Sequence, residues 1–298
     1  MPAQDTHATG ETARRTAADI FADAVRVGEE ELKRSSPGLA FSGLAAGLGM
    51  GLTGLGSAAL LAALRGVPHA ELIAALLYPA GFIVVIVGRA QLFTENTLFP
   101  VILVLDRRRH LRNTGRLWGV VFASNIIGAL LFAVLAASSG ALEPPIASAL
   151  ATLGQRAATG SFGHLFWGGV AGGWIIALVA WLVSASRFTI AQIALVWLLT
   201  FIVGAAHLAH CIAGSGEILA AVVHGTVSPG TYLYWLAAAT LGNVVGGVVG
   251  VALLNYAQVI GSGHDPSRAD RTLDEVEDEL SGRRRGRRVL AASFGRRR

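Results

Sequence analysis

The sequence predicts an all-α membrane protein of six transmembrane helices, arranged as an inverted repeat in which the second and fifth helices are broken. Three observations predict it. The chain has 298 residues, a mean hydropathy of +0.56, 53% hydrophobic residues and only 14% charged ones, a balance far too apolar for an ordinary soluble domain. Four stretches without a formal charge, 39–64, 117–142, 157–186 and 231–260, each exceed the roughly 20 helical residues that cross a hydrocarbon core of about 30 Å. Two more apolar stretches, 72–105 and 190–223, are interrupted near their middles by polar residues at 89–97 and 207–217. Histidine and carboxylates at mid-membrane depth mark broken helices lining a passage, so the predicted activity is transport.

Taken in order, residues 1–36 form an amino-terminal unit on the cytoplasmic face. Within it, 12–34 patterns as an amphipathic helix with Ile20, Phe21, Ala24, Val25 and Val27 on one side and Glu29, Glu30, Glu31, Lys33 and Arg34 at its end. The first 38 residues lack an apolar signal region, so insertion is left to the first span. Ser36-Pro37-Gly38 is expected to break the chain before the transport domain, residues 37–260. Residues 138–161, with Glu143-Pro-Pro145, read as a loop, and 261–298 as a disordered Arg-rich cytoplasmic tail. With six crossings, 21 of the 24 Lys and Arg fall on the side of both termini, which places the termini in the cytoplasm. The pI of about 10.1 therefore reflects orientation and contact with anionic lipid, and no nucleic-acid partner is expected.

The two halves repeat. Asn125-Ile-Ile-Gly128 and Asn243-Val-Val-Gly246 lie 118 positions apart, and so do the starts of the interrupted stretches at 72 and 190. Each half holds three spans, and an odd number reverses direction, so the halves are expected to be inverted with the site between them. Gly43, Gly47 and Gly51, Gly168 with Gly172, Gly169 with Gly173, and Gly242, Gly246 and Gly250 read as close helix contacts.

In an inverted pair, half-helices starting near Leu98 and Ile218 point their amino ends at the membrane centre, where free N–H groups and the positive dipole end attract an anion. His210 is the principal candidate for the chemistry there. An imidazole between apolar constrictions can donate a hydrogen bond or a proton to a weak-acid anion and let a neutral species cross. His207 reads as structural, and His164 and His224 as solvated. Glu95 and Glu217 are expected to precede and cap the half-helices, Asn96 lies in the first break, and Arg89 is expected to pair with one of the two glutamates. Cys211, the lone cysteine, reads as a small buried residue.

Gly88-Arg-Ala-Gln-Leu-Phe-Thr-Glu-Asn96, His210-Cys-Ile-Ala213 and Gly242-Asn-Val-Val-Gly-Gly247, in that order and spacing, resemble the formate/nitrite transporter family over roughly residues 30–258. The resemblance implies an aquaporin-like protomer without a cofactor, a homopentamer with one pore per protomer, and passage of small monovalent anions or their conjugate acids. By motif position it implies that His210 is the central pore histidine, Thr94 faces it, and Tyr78, Phe82, Ile176 and Val203 form the apolar constrictions. The chain departs from the family pattern at Glu95, at Gly214 and Gly173 where asparagines are usual, and at Arg156 in place of a lysine ahead of the fourth span.

Other classes fit less well. Gly214-Ser-Gly216 echoes the nucleophile turn of an intramembrane serine protease, but 231–260 contains no histidine base. A purely structural anchor needs no polar breaks in its membrane helices. Within transport, the alternative is a pore for a neutral or protonated solute, including proton-coupled weak-acid uptake.

Overall fold

The computed structural model describes residues 15–107 and 111–261, and the expectation for the Arg-rich tail lies outside them except at Gly261. The chain divides into two units, Met1–Tyr256 and Ala257–Arg298. All regular structure among the described residues is helical.

Thr16 and Asp19 form a reciprocal capping box that starts α1 (Ala17–Lys33). Its buried residues, Phe21, Ala24, Gly28 and Leu32, recur at helical spacing and α1 packs on the helices Phe99–Arg107 and Phe162–Ala185, so much of the apolar face is spent inside the protein. The chain turns at Arg34 and Ser35, and α2 (Ser36–Ala63) begins immediately with Ser35 as cap and Pro37 in its first turn. The expected break at Ser36–Gly38 thus lies two residues earlier, because proline at a helix start removes only an N–H that has no intrahelical partner.

After α3 (Ala70–Ala74) a short 3₁₀ turn, Ala75–Leu77, leads into α4 (Pro79–Val87); following the first break come a 3₁₀ turn, Glu95–Thr97, and α5 (Phe99–Arg107). α6 (Leu111–Ser138) closes the first half. The stretch expected to be a loop contains a helix, α7 (Pro144–Ala157), packed against α2 and the helix Ala213–Val223. Its short length and polar flanks hid it in a search for full spans. α8 (Phe162–Ala185) is followed by α9 (Thr189–Ala205) and, across the second break, α10 (Ala213–Val223). The last segment runs from α11 (Pro229–Gly247) through a π turn, Val248–Leu253, into α12 (Leu254–Gly261), a widening that the hydropathy pattern gave no sign of.

Among the described residues, five helical segments are long and apolar enough to cross a bilayer, namely Ser36–Ala63, Ala70–Val87, Leu111–Ser138, Phe162–Ala185 and Pro229–Gly261. Large apolar side chains such as Leu130, Leu131, Val134, Leu135 and Leu198 are exposed on the outside of the bundle, as a surface facing acyl chains requires.

The breaks are built twice by one device. Arg89 (φ 58°) and His207 (φ 51°) both take the left-handed conformation that ends α4 and α9. Around them the same bonds recur, Ala90 N to Val85 O (3.0 Å) with Arg89 N to Ile86 O (3.2 Å), and Leu208 N to Val203 O (3.0 Å) with His207 N to Gly204 O (3.2 Å). An asparagine then anchors each loop. Asn125 donates to Gly43 O and Gln91 O, both 2.8 Å, and accepts from Phe93 N at 2.9 Å. Asn243 donates to Gly169 O (2.8 Å) and Ala209 O (2.9 Å) and accepts from Cys211 N at 2.8 Å. Each asparagine satisfies two backbone groups of its break in a dry interior, where an unpaired group costs several kcal/mol, and ties the loop to a carbonyl of a neighbouring helix.

Close approach at two glycines puts the asparagines in reach. A methyl group on Gly47 would come 2.0 Å from Asn125 O, and one on Gly173 2.3 Å from Asn243 O. That contact also explains why Gly173 stands where the resemblance expects asparagine.

Candidate functional site

Thr94 belongs to the first break and His210 to the second, and the fold brings the two together across 116 residues of chain. Thr94 Oγ1 lies 2.8 Å from His210 Nε2, with Thr94 fully buried and His210 1% exposed. The other ring nitrogen, Nδ1, accepts from Ala213 N at 3.0 Å. A nitrogen that accepts carries no hydrogen, so the neutral ring holds its hydrogen on Nε2 and donates it to Thr94 Oγ1. The Thr94 hydroxyl hydrogen is then free for another acceptor.

This geometry changes the expected role of the α10 amino end. That helix begins at Ala213, and its first N–H groups are taken by His210 itself: Ala213 N by the ring and Gly214 N by the backbone carbonyl, at 2.9 Å. The dipole end therefore holds the imidazole. Glu217 does not precede the half-helix; it is the fifth residue of α10 and caps nothing.

Two cavities flank α4, and His210 lines the larger of them. The larger, about 710 Å³, is lined by Tyr78, Val203, His210 and Glu217 and carries Glu71, Arg156 and His207. The smaller, about 60 Å³, is lined by Ile86, Arg89, Glu95 and Asn96 together with Glu31 of α1. Tyr78, Phe82 and Ile86 recur every fourth residue, so one helical face runs from the large cavity to the small one. Between them the fully buried Phe82 meets the His210 ring edge-on, with centroids 5.0 Å apart, and packs against Tyr78 at 5.7 Å. Val203 and Ile176 are fully buried, and Ile176 lines neither cavity.

The remaining predicted site residues divide by place. Asn96 donates to Gln91 Oε1 (3.0 Å) and its carbonyl accepts from Trp118 Nε1 (2.9 Å), which ties the first break to α6. His207 is exposed, with Nε2 3.9 Å from Glu71 Oε2, and Glu71 pairs with Arg156. The expected Arg89–glutamate pair is not formed. Arg89 is exposed and, among the described residues, has no ion pair, while Glu217 lines the other cavity. Glu95 shares the small cavity with Arg89 without closing an ion pair. His164 and His224 are exposed, and Cys211 is buried. The Ser215 hydroxyl is spent on Cys211 O and Tyr232 OH, and Gly214 leaves room for Trp235, from which a methyl there would lie 2.6 Å.

The sequence flagged Asn125 and Asn243 as repeat markers and missed that they hold the loops bearing Thr94 and His210. The signal was their common spacing of 118 to each other and between the breaks. Ser57 of α2, which also lines the large cavity, carried no signal.

The formate/nitrite transporter family model matches residues 18–257. An inner membrane protein, YfdC, of Escherichia coli (strain K12) is 34% identical over 236 residues, covering 78% of this chain and 75% of that protein. A probable formate transporter of Methanothermobacter thermautotrophicus is 28% identical, covering 62% of this chain and 74% of its own. Among solved structures, an FNT family ion channel superposes with a TM-score of 0.69 at 19% identity over 81% of this chain and 96% of the other. A pentameric formate channel with formate bound gives 0.64 at 18%, over 76% and 99%. With its helices interrupted as the three motifs require and the family model matched across nearly all of the membrane region, the chain belongs to the formate/nitrite transporter family of integral membrane channels and transporters.

Proposed function

We propose that the protein is a six-crossing channel or transporter of small monovalent anions or their conjugate weak acids, with His210 and Thr94 at the centre of its pore. The observation that carries this reading is the Thr94–His210 hydrogen bond of 2.8 Å at the end of one cavity and across Phe82 from the other. The solute passes from the large cavity between Tyr78 and Val203, past Phe82 and the imidazole, toward Ile86 and the small cavity; Ile176 packs behind this path. At the centre the Thr94 hydroxyl donates to an anionic oxygen, and the Nε2–H bond to Thr94 strengthens that donor by polarising it. A carboxylate or nitrite stripped of water in this apolar passage is costly, so the bound species gives up charge to a hydrogen bond or a proton.

Thr189–Ala205 and Ala213–Val223 together make the fifth crossing, each alone too short. The Lys and Arg balance supports cytoplasmic termini, with α1 on the cytoplasmic face and residues 261–298 a cytoplasmic tail. A bacterial-type inner membrane is supported by the Escherichia coli relative, and a homopentamer by the pentameric formate channel.

Stopped-flow uptake into proteoliposomes across formate, nitrite, hydrosulfide, acetate and lactate, with wild type beside His210→Phe, tests the reading. Phe keeps the ring contact with Phe82 and removes both nitrogens, so uptake is expected to fall at least tenfold. Unchanged uptake would overturn the central role of His210. A second reading, passage of a protonated or neutral solute, is favoured by the carboxylates of Glu95 and Glu217, one on each cavity.

A further inference from the structure

The large cavity holds two buried polar side chains that the His210 site does not use. Glu217 is 8% exposed and, among the described residues, has neither a hydrogen bond nor an ion pair. Ser57 is 6% exposed, and among the described residues its Oγ has no hydrogen-bond partner. Both line the cavity that ends at His210.

The place of the carboxylate is built by backbone. A methyl on Gly54 of α2 would come 2.6 Å from Glu217 Cγ, and one on Gly154 of α7 would come 2.1 Å from Glu217 O. Two helices therefore give up side chains where this one glutamate sits. Ser57 follows Gly54 by three residues on α2, one helical turn along the same wall.

A carboxylate held in an apolar wall without a donor is unfavourable until a ligand brings one. It repels a monoanion at close range and attracts an O–H. Two carboxyl groups side by side settle by sharing one proton, since both cannot stay ionised. The other titratable groups on this cavity are Tyr78, Glu71, Arg156, His164, His207 and His210. Arg156, the permanent cation among them, is engaged by Glu71, so the Glu217 carboxylate is left for the solute.

We propose that Glu217 and Ser57 form a subsite for the undissociated form of a small monocarboxylic acid, occupied before the solute reaches His210. The acid O–H donates to the Glu217 carboxylate, and the Ser57 hydroxyl donates to the acid carbonyl. One proton is shared between the two carboxyl groups, no other bond changes, and when the acid moves on it takes that proton and leaves Glu217 as it was. Transport through this subsite is electroneutral. The inference rests on the pore reading above and specifies which species that pore admits.

The test uses the full chain in proteoliposomes with formate as probe, recording uptake, luminal pH and current under an imposed potential for wild type, Glu217→Gln and Ser57→Ala. Wild type is expected to acidify the lumen with one proton per formate and to carry no current. Glu217→Gln, which keeps the shape and removes the charge, is expected to carry formate current and to lose at least threefold of the proton coupling. Ser57→Ala is expected to raise the half-saturating formate concentration about three- to tenfold with the coupling intact. Wild-type flux that carries current, Glu217→Gln that matches wild type in coupling and current, or preferential saturable uptake of methylammonium overturns the subsite. If Glu217→Gln does not assemble, Ser57→Ala decides alone, and an unchanged half-saturation overturns it. Because His210→Phe is run in parallel, loss of the pore reading registers as uptake indifferent to His210, separately from any of these outcomes.

Discussion

At the scale of single residues, the site depends on which hydrogen bonds are already spent. His210 receives an N–H from Ala213 and gives its own to Thr94, so a single tautomer and a single ring orientation satisfy both partners. Thr94→Val keeps the shape and deletes the acceptor, leaving a buried Nε2–H unpaired at a cost of about 1–3 kcal/mol. The variant is expected to assemble, to melt at lower temperature in detergent, and to transport formate about tenfold more slowly; wild-type uptake would remove Thr94 from the mechanism. Arg89 illustrates the opposite case. Its cation suggested a membrane-buried ion pair, but the backbone at φ 58° shows that the position serves to end a helix. Arg89→Gly is therefore expected to assemble with unchanged or higher thermal stability. Arg89→Val, with a β-branched side chain forced left-handed, is expected to lose about 1–2 kcal/mol, read as a lower melting midpoint. Equal midpoints for the two variants would contradict this.

Among elements, the two breaks share a scaffold and differ at the residues proposed to act. Asn125 and Asn243 make equivalent bonds, Arg89 and His207 end their helices alike, and the offset of 118 holds for these residues and for the loop groups the asparagines bind, though the helix carbonyls of Gly43 and Gly169 are 126 apart. At the same offset, however, His210 corresponds to Leu92 and Thr94 to Ile212. The repeat builds the loops, and its local violation supplies the polar pair. Asn125→Leu removes three buried hydrogen bonds at once and is expected to cost about 3–5 kcal/mol, seen as loss of monodisperse protein on size exclusion. A stable, active variant would show that the loop holds itself. The junction of α1 and α2 depends on Arg116, whose guanidinium donates to Leu32 O (2.9 Å), Arg34 O (3.1 Å) and Ser36 Oγ (3.0 Å). The bonds to Leu32 O and Arg34 O are charge-assisted bonds to carbonyls left free where α1 ends, and the one to Ser36 Oγ reaches the start of α2. Arg116→Ala is expected to make the 34–36 turn more sensitive to limited proteolysis while α2 stays intact; an unchanged digestion pattern would show that packing alone holds the turn.

For the whole molecule, transport should reside in the helical region and be independent of the Arg-rich tail. Truncation after Gly261 is expected to leave formate flux per protein within about twofold of wild type in proteoliposomes, and loss of flux would assign the tail a part in transport. Much of this was legible in the sequence because a bilayer imposes simple rules: a fixed apolar length, no unpaired backbone at depth, and a charge bias across the membrane. Those rules and the spacing of 118 were enough for the membrane fold, the two interruptions and His210 as the residue to watch, while Thr94 came from the motif resemblance alone. Other features depend on side chains meeting from distant segments, which hydropathy does not record. The helix in 138–161, Glu217 lying inside α10, Arg89 standing unpaired, and the seat made by Gly54 and Gly154 are all of this kind. One sequence by itself therefore determined which stretches lie in the membrane and where they break. The tertiary structure decided which polar group in each break faces a partner, a cavity or nothing, because that depends on distances of a few ångströms between helices far apart in the chain.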